Sequence, residues 1–324
     1  MSVDVIIPVY KPDKKFDKLM LSLLNQSILP DSVILMNTVP ENTFLDAQSL
    51  KNRIRRNLRN NKPYMTKKVD IRIVDVPQKE FDHGGTRRRA AELSKADYML
   101  FMTQDAVPAD NYLIEKMLHK LTGNITNEEV PVAAYARQLP AVNADIVEGY
   151  TRLFNYPAEC RKKSLKDLET LGIKTYFFSN VCAIYDKKAY LEAGGFVKKT
   201  IFLEDSLLCA ALLKKGYSVY YAADCKVVHS HNYTGKQYFK RYFDLGVSHK
   251  QYHEVFDEVP PAKEGAKLVF STIKYLLGQR AFMGIVDLGV KSAAKLFGYK
   301  LGRIYDKLPK ALVRRLSSNP GYFD

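Results

Sequence analysis

The chain has 324 residues, 46% hydrophobic and 26% charged, which is ordinary for a globular protein with a sizeable buried core. No segment reaches the roughly 18 uninterrupted apolar residues of a membrane span, and the first apolar run begins without a basic segment and cleavage site before it, so neither a spanning helix nor a signal peptide is expected. The net charge of +15 points to an anionic partner: nucleic acid, anionic lipid or a phosphorylated substrate.

Residues 3–10 (VDVIIPVY) read as a buried strand, and Phe16, Leu19, Met20, Leu23 and Leu24 share one face of a helix. A second strand is expected over 32–38, a second helix over 45–58 and a third strand over 69–76. A helix entered through glycines follows at 84–96, then a fourth strand at 97–103. Strand–helix repetition at this spacing implies a parallel sheet with helices on both faces, so residues 1–110 read as a nucleotide-binding half. From Val130 the pattern is mixed. Strands are expected at 132–138 and 180–186, a loop over a cleft at 159–174, a helix at 204–217, two short strands over 217–233 and a tyrosine-rich helix over 236–252. The prolines of VPPAKEG (259–265) mark a boundary. Beyond it, residues 262–316 carry twelve Lys or Arg against three Asp or Glu, interleaved with Leu, Ile, Val and Phe. Such basic amphipathic helices suit an anionic membrane surface or a partner.

The four cysteines, Cys160, Cys182, Cys209 and Cys225, form no CxxC pair, so no disulfide framework or zinc site is expected and a reducing cytosol fits.

Four stretches carry chemistry. Asp105 follows a strand directly, where α/β sheets bind ligands, and one carboxylate with substrate phosphates can hold Mg²⁺ or Mn²⁺. In EFDHGGTRRRA (80–90), His83, Gly84 and Gly85 open a helix and Arg87 follows, a combination suited to a diphosphate. Glu204 and Asp205 begin another helix and point in different directions, so one of them can act as a base toward a hydroxyl; helix capping is the other reading. His229 and His231 lie on one side of a strand, and neutral imidazole is a common metal ligand.

Taken in order, these pieces resemble a family 2 glycosyltransferase of the GT-A fold over residues 3–240. IIPVY is similar to that family's opening strand, TQDA to its metal-binding motif, GGF…FLEDSLL (194–208) to its acceptor-side motif, and VVHSH to its closing histidine. FDHGGTR followed by MTQDAVP is similar to bacterial rhamnosyltransferases that use dTDP-L-rhamnose. The resemblance implies a catalytic unit at 1–258, with a nucleotide-sugar half to residue 110 and an acceptor half after it, and a helical extension at 259–324. It implies that Pro8, Val9, Tyr10 and Asn37 serve the nucleotide base, that His83, Gly84, Gly85 and Arg87 face the diphosphate, and that Asp105, helped by Gln104 and His229, holds Mg²⁺ or Mn²⁺. Asp205 is then the base, and one base with direct displacement inverts the anomeric centre.

Two departures stand out: Arg88 where relatives carry Asn, and Asn37-Thr38 where they carry an acid. The implied partners are dTDP-L-rhamnose and a saccharide or lipid-linked acceptor of O-antigen or cell-wall synthesis. UDP-galactofuranose and UDP-hexoses are alternative donors. The implied location is the cytoplasmic face of the membrane, where the basic helices also offer a surface for self-association. A nucleic-acid-binding protein is disfavoured because the cations concentrate after residue 262 and no known binding motif appears. A nucleotidyltransferase is disfavoured because PVYKPDKKFDK lacks a glycine-rich loop.

Overall fold

The computed structural model describes residues 1–40, 46–61, 67–123, 130–257 and 262–324, with side chains in the last span from residue 265 onward. The first half runs β1 (Val3–Tyr10), α1 (Lys14–Leu23), β2 (Ser32–Val39), α2 (Ala47–Asn61), β3 (Asp70–Pro77), α3 (His83–Leu93) and β4 (Tyr98–Met102). These four strands run parallel to one another, because a helical crossover returns the chain to the same end of the sheet. Asp13 caps α1 by accepting from the Lys15 and Phe16 amides. That fixes the helix so that Phe16, Leu19, Met20 and Leu23 pack on the odd-numbered side chains of β1.

The second half begins with β5 (Val107–Pro108), α4 (Leu113–Thr122), β6 (Ala133–Leu139), α5 (Ile146–Asn155), β7 (Arg161–Lys163) and the single turn α6 (Leu168–Leu171). It continues through β8 (Cys182–Asp186), α7 (Lys187–Glu192), α8 (Glu204–Lys214) and β9 (Val219–Val228). The nine strands form one sheet in the order β3-β2-β1-β4-β8-β6-β9-β5, with β7 also on β9. It is mixed, since β8 runs antiparallel to both β4 and β6. α1, α2 and α4 cover one face and α3, α7 and α8 the other.

Two expectations are corrected here. Residues 159–174 are not a loop: β7 pairs antiparallel with β9, and α6 with its flanking 3₁₀ turns follows. Buried Lys163 anchors the segment by donating to the carbonyls of Lys174 and Phe177. The segment does border a cleft of about 430 Å³. Residues 217–233 hold one strand rather than two. The register of β9 against β6 slips between the pairs Ala136–Ala222 and Arg137–Lys226, and this bulge breaks the side-chain alternation as a turn would.

α9 (Gly235–Gln251) and α10 (His253–Phe256) precede the basic region. The boundary at 259–265 lies largely outside the described residues. Beyond it come α11 (Ala262–Gly278), α12 (Phe282–Gly302) and α13 (Lys310–Leu316). α12 lies along α9 at backbone contact. A Cβ on Gly298 would stand 2.3 Å from the Phe239 carbonyl oxygen, and one on Gly302 would stand 2.0 Å from that of Phe243. Two cations of α12 turn inward. Lys291 is buried between Asp145 (2.9 Å) and Asp287 (2.6 Å), and Lys295 lies 4.2 Å over the Tyr238 ring. Its outward side carries Phe282, Met283, Val286, Val290, Leu296 and Phe297, between 52% and 80% exposed.

The crossing makes a testable demand. Gly302→Ala is expected to destabilise the protein by about 1–3 kcal/mol, the range for overpacked contacts. Gly289→Ala, whose added methyl meets nothing within 4 Å, should not. Urea unfolding of the two variants checks this, and equal stabilities would contradict the backbone contact.

Candidate active site

β4 stops at Met102 because the next residues are committed elsewhere. Gln104 accepts from the Tyr10 amide (2.8 Å) and donates to the Tyr10 carbonyl (2.8 Å), adding a side-chain rung between the ends of β1 and β4. Both ends of its amide are therefore used, and Gln104 fixes the strand end instead of helping to hold an ion. Asp105 then projects toward the end of β9. Its Oδ1 is 3.5 Å from His229 Nε2 and its Oδ2 is 3.1 Å from His231 Nε2, while the two Nε2 atoms are 3.0 Å apart.

The orientation of His229 is set from behind. Gln138, at the end of β6, places Oε1 2.9 Å from His229 Nδ1 and accepts from Arg152 Nη1. A guanidinium only donates, so the amide oxygen must face it, and His229 Nδ1 must carry the proton. The Nε2 lone pair is thereby left toward Asp105, the arrangement by which second-shell groups fix metal-binding histidines. Glu148 holds Arg152 (2.7 Å) and also accepts from the His231 amide (3.2 Å).

Burial pushes the His229 imidazole down to about 3, with Asp105 opposing and Arg152 assisting, so the ring is neutral. Burial acts to raise Asp105, but the hydrogen bond from His231 and the electrostatic pull of the two neighbouring imidazoles hold it well below the carboxylate range. One ionised carboxylate and two imidazoles, with ligand atoms within 4.8 Å of one another, fit a divalent cation that completes its shell with phosphate oxygens. Asp105 and His229 were both expected there; His231 is added by the geometry.

α8 opens at Leu203, whose φ of 68° is left-handed and which provides no side-chain cap. A bulky residue there costs on the order of 1–3 kcal/mol. Asp205 is not the cap: its Oδ2 accepts from the Asn180 amide (3.0 Å) and its Oδ1 from Ser206 (2.8 Å). It is half-buried. Dense surroundings, and then the charge of Glu204, push its carboxyl up to about 7. The helix start does not keep it low, as the dipole alone would suggest. Ser179 donors and acceptors join this region to the cation cluster, since Gln138 donates to Ser179 Oγ (3.0 Å) beside Asn180.

The Arg87 group sits differently from the expectation. Arg87 is buried, pairs with Glu204 at 3.2 Å and donates to His83 Nδ1 at 3.1 Å, so it is taken up inside the protein and does not face open space. Burial lowers His83 to about 4, which suits an acceptor nitrogen. The helix-start amide of Gly85 is filled by Asp82 (2.7 Å). Cβ atoms on Gly84 and Gly85 would each stand 2.6 Å from a carbonyl of the 197–198 segment. These glycines permit close packing and present no open anion cradle. Arg88 likewise ties down a turn, donating to the carbonyls of Gly194 (2.8 Å) and Phe196 (2.7 Å).

On the nucleotide side, Val9 is buried in the core, Pro8 is half-buried, and Tyr10 is exposed. None of them lines the neighbouring cleft of about 390 Å³, which Lys11, Pro12, Asn37, Ser49, Leu50, Arg53 and Arg56 enclose. Asn37 donates to Asp75 (2.7 Å), its register partner on β3. An acid therefore does stand beside position 37, supplied by the next strand. Sequence reasoning missed Asp75 and Gln138; the only available signal was that each lies at a strand end.

The model of the family described as Glycosyl transferase family 2 matches residues 4–193. Two relatives are described as O-antigen chain rhamnosyltransferases. RfbN of Salmonella typhimurium is 34% identical over 100% of this chain and 96% of its own. WbaN of Salmonella anatum is 37% identical over 78% and 79%. Among solved structures, the mannosyltransferase PcManGT from Pyrobaculum calidifontis, in complex with GDP-Man and Mn²⁺, is similar in fold. It aligns with 99% of this chain and 84% of its own at TM-score 0.53 and 14% identity.

Gln138→Leu removes the acceptor for His229 Nδ1–H and should weaken Mn²⁺ binding by about 10- to 100-fold, read by electron paramagnetic resonance of free Mn²⁺. Unchanged affinity in a folded variant would separate Gln138 from the cation.

Proposed function

The chain belongs to glycosyltransferase family 2, and from that membership we propose that it is an inverting rhamnosyltransferase. The donor is dTDP-β-L-rhamnose and the acceptor is a saccharide, lipid-linked, of a bacterial surface polysaccharide. The observation that carries the reading is a pair of unlike acid sites: Asp105 clustered with His229 and His231, and half-buried Asp205 with its carboxyl raised to about 7. The rhamnosyl donor rests on the two rhamnosyltransferase relatives.

Asp105, His229 and His231 would hold Mg²⁺ or Mn²⁺, which supplies Lewis-acid neutralisation of the donor diphosphate when bound. Asp205 takes the proton from the acceptor hydroxyl as its oxygen attacks the anomeric carbon. The bond from that carbon to the diphosphate oxygen breaks with its electron pair leaving on the nucleotide. A carboxyl near neutrality is matched to this task, since it is free to accept a proton at working pH and still basic enough to hold it. Attack opposite the leaving group yields an α-L-rhamnoside.

Asp205→Asn keeps size and its hydrogen-bond acceptor while losing the basic site. Transfer should fall by roughly two to four orders of magnitude, with melting temperature and dTDP affinity unchanged. In the wild type kcat should rise about tenfold per pH unit below about 7 and level above it, because only the deprotonated carboxyl acts. The pH–rate profile of both proteins checks this; a silent Asn variant would remove Asp205 from the chemistry.

We also propose that the enzyme works at the cytoplasmic leaflet as a peripheral protein. No helix among the described residues is long and apolar enough to cross a membrane. The outward apolar side of α12, with exposed Lys267, Lys274, Arg280 and Lys300 around it, suits insertion at an anionic interface. The double variant Val286→Glu with Phe297→Glu should lose sedimentation with phosphatidylglycerol vesicles and keep dTDP affinity. Unaltered vesicle binding would discard this surface, and a wild-type dimer that the variant splits would assign it to self-association.

A further inference from the structure

One cation beside the cleft has no task in this scheme. Arg241 of α9 is half-buried, and its guanidinium carbon lies 4.9 Å from the Phe202 ring centre and 5.0 Å from that of Tyr233. Other arginines near the core are paired: Arg53 with Asp17, Arg87 with Glu204, Arg152 with Glu148. Among the described residues Arg241 has no ion pair and no hydrogen-bond acceptor.

Its neighbours define where it stands. Tyr233 stacks on His231 at 4.8 Å, so one ring separates the guanidinium from the cation cluster. Phe202 stacks on His83 at 5.2 Å and lies two residues before Glu204, so the other ring leads to the base-bearing helix. Arg241 thus sits in a row of rings that runs from His231 of the cation cluster to His83, next to the segment that leads into the helix carrying Asp205.

The two rings lie within cation–π distance of the guanidinium but accept from none of its five N–H donors. The clamp also removes most of the rotamer freedom that an arginine ordinarily loses on binding. A planar, pre-oriented donor fork with no protein acceptor matches a phosphate, which takes two parallel N–H···O bonds. A divalent cation held by one carboxylate keeps a net single positive charge and leaves part of a diphosphate's charge unmatched, and that charge grows as the glycosyl bond breaks.

We propose that Arg241 binds the donor diphosphate and stabilises the phosphate oxygen that leaves the anomeric carbon. This rests on the glycosyl-transfer reading. As the acceptor oxygen bonds to carbon and its proton passes to Asp205, the breaking bond's electron pair settles on the departing phosphate oxygen. Arg241 N–H groups receive the charge by hydrogen bonding, without transferring a proton.

Calorimetric titration of dTDP, UDP and thymidine with Mn²⁺ present, beside steady-state kinetics, tests the assignment. Arg241→Gln should lower nucleoside diphosphate affinity by about 10- to 100-fold, the scale of charge-assisted hydrogen bonds. Thymidine affinity and Mn²⁺ binding should hold. Arg241→Lys keeps a cation between the rings without the fork, and should lower kcat while leaving the acceptor KM unchanged. Unchanged dTDP affinity in the Gln variant, or equal loss for thymidine and dTDP, would overturn the proposal. If the Gln variant does not fold, a Lys variant with wild-type kcat overturns it as well. A wild type that binds no nucleoside diphosphate would remove the transferase reading itself, whereas a variant indifferent to the change removes Arg241 alone.

Discussion

Arg152 cannot accept a hydrogen bond, and the geometry of the cation site follows from that restriction. It forces the Gln138 oxygen inward, which protonates His229 Nδ1 and turns Nε2 to Asp105. The same network reaches His231 through Glu148, whose Oε1 accepts from the His231 amide. Glu148 is in turn held at the start of α5, where Asp145 accepts from its amide (2.7 Å). Asp145 also pairs with Lys291 of α12. The C-terminal helices therefore brace the helix that orients the histidines, and an apolar surface helix and a buried imidazole belong to one connected structure.

Much of this was legible locally. Strand and helix periodicity located β1 to β4 and their helices, because apolar spacing reports which side is buried. Asp105 was visible because one carboxylate ended an apolar run, and His229 and His231 because they closed another. What stayed hidden depends on contacts between distant residues. Asp75 meets Asn37 across 38 positions and Gln138 meets His229 across 91, separations at which no spacing rule operates. Arg87 looked like a phosphate ligand because sequence shows its charge but not Glu204 beside it. The tail was counted correctly as basic, yet a count cannot tell that Lys291 and Lys295 face inward while Phe282 and Phe297 face out.

The pairing of Arg87 with Glu204 also explains why the neighbouring acid is the one suited to proton transfer. A buried glutamate without a partner would give up its charge, since a lone carboxylate is costly to desolvate. Arg87 at 3.2 Å and the Asn180 amide group at 3.1 Å keep that charge in place. The next carboxyl must then ionise beside an existing negative charge in dense surroundings, and both effects favour its protonated form. After the left-handed turn at Leu203, Glu204 pairs with the buried arginine while half-buried Asp205 accepts from the Asn180 and Ser206 amides. An arginine spent elsewhere would remove the partner that Glu204 has at 3.2 Å, and the surroundings that lift Asp205 toward neutrality would change with it. Structural pairing thus commits the charge of Arg87 inside the protein, beside the acid that stands next to Asp205.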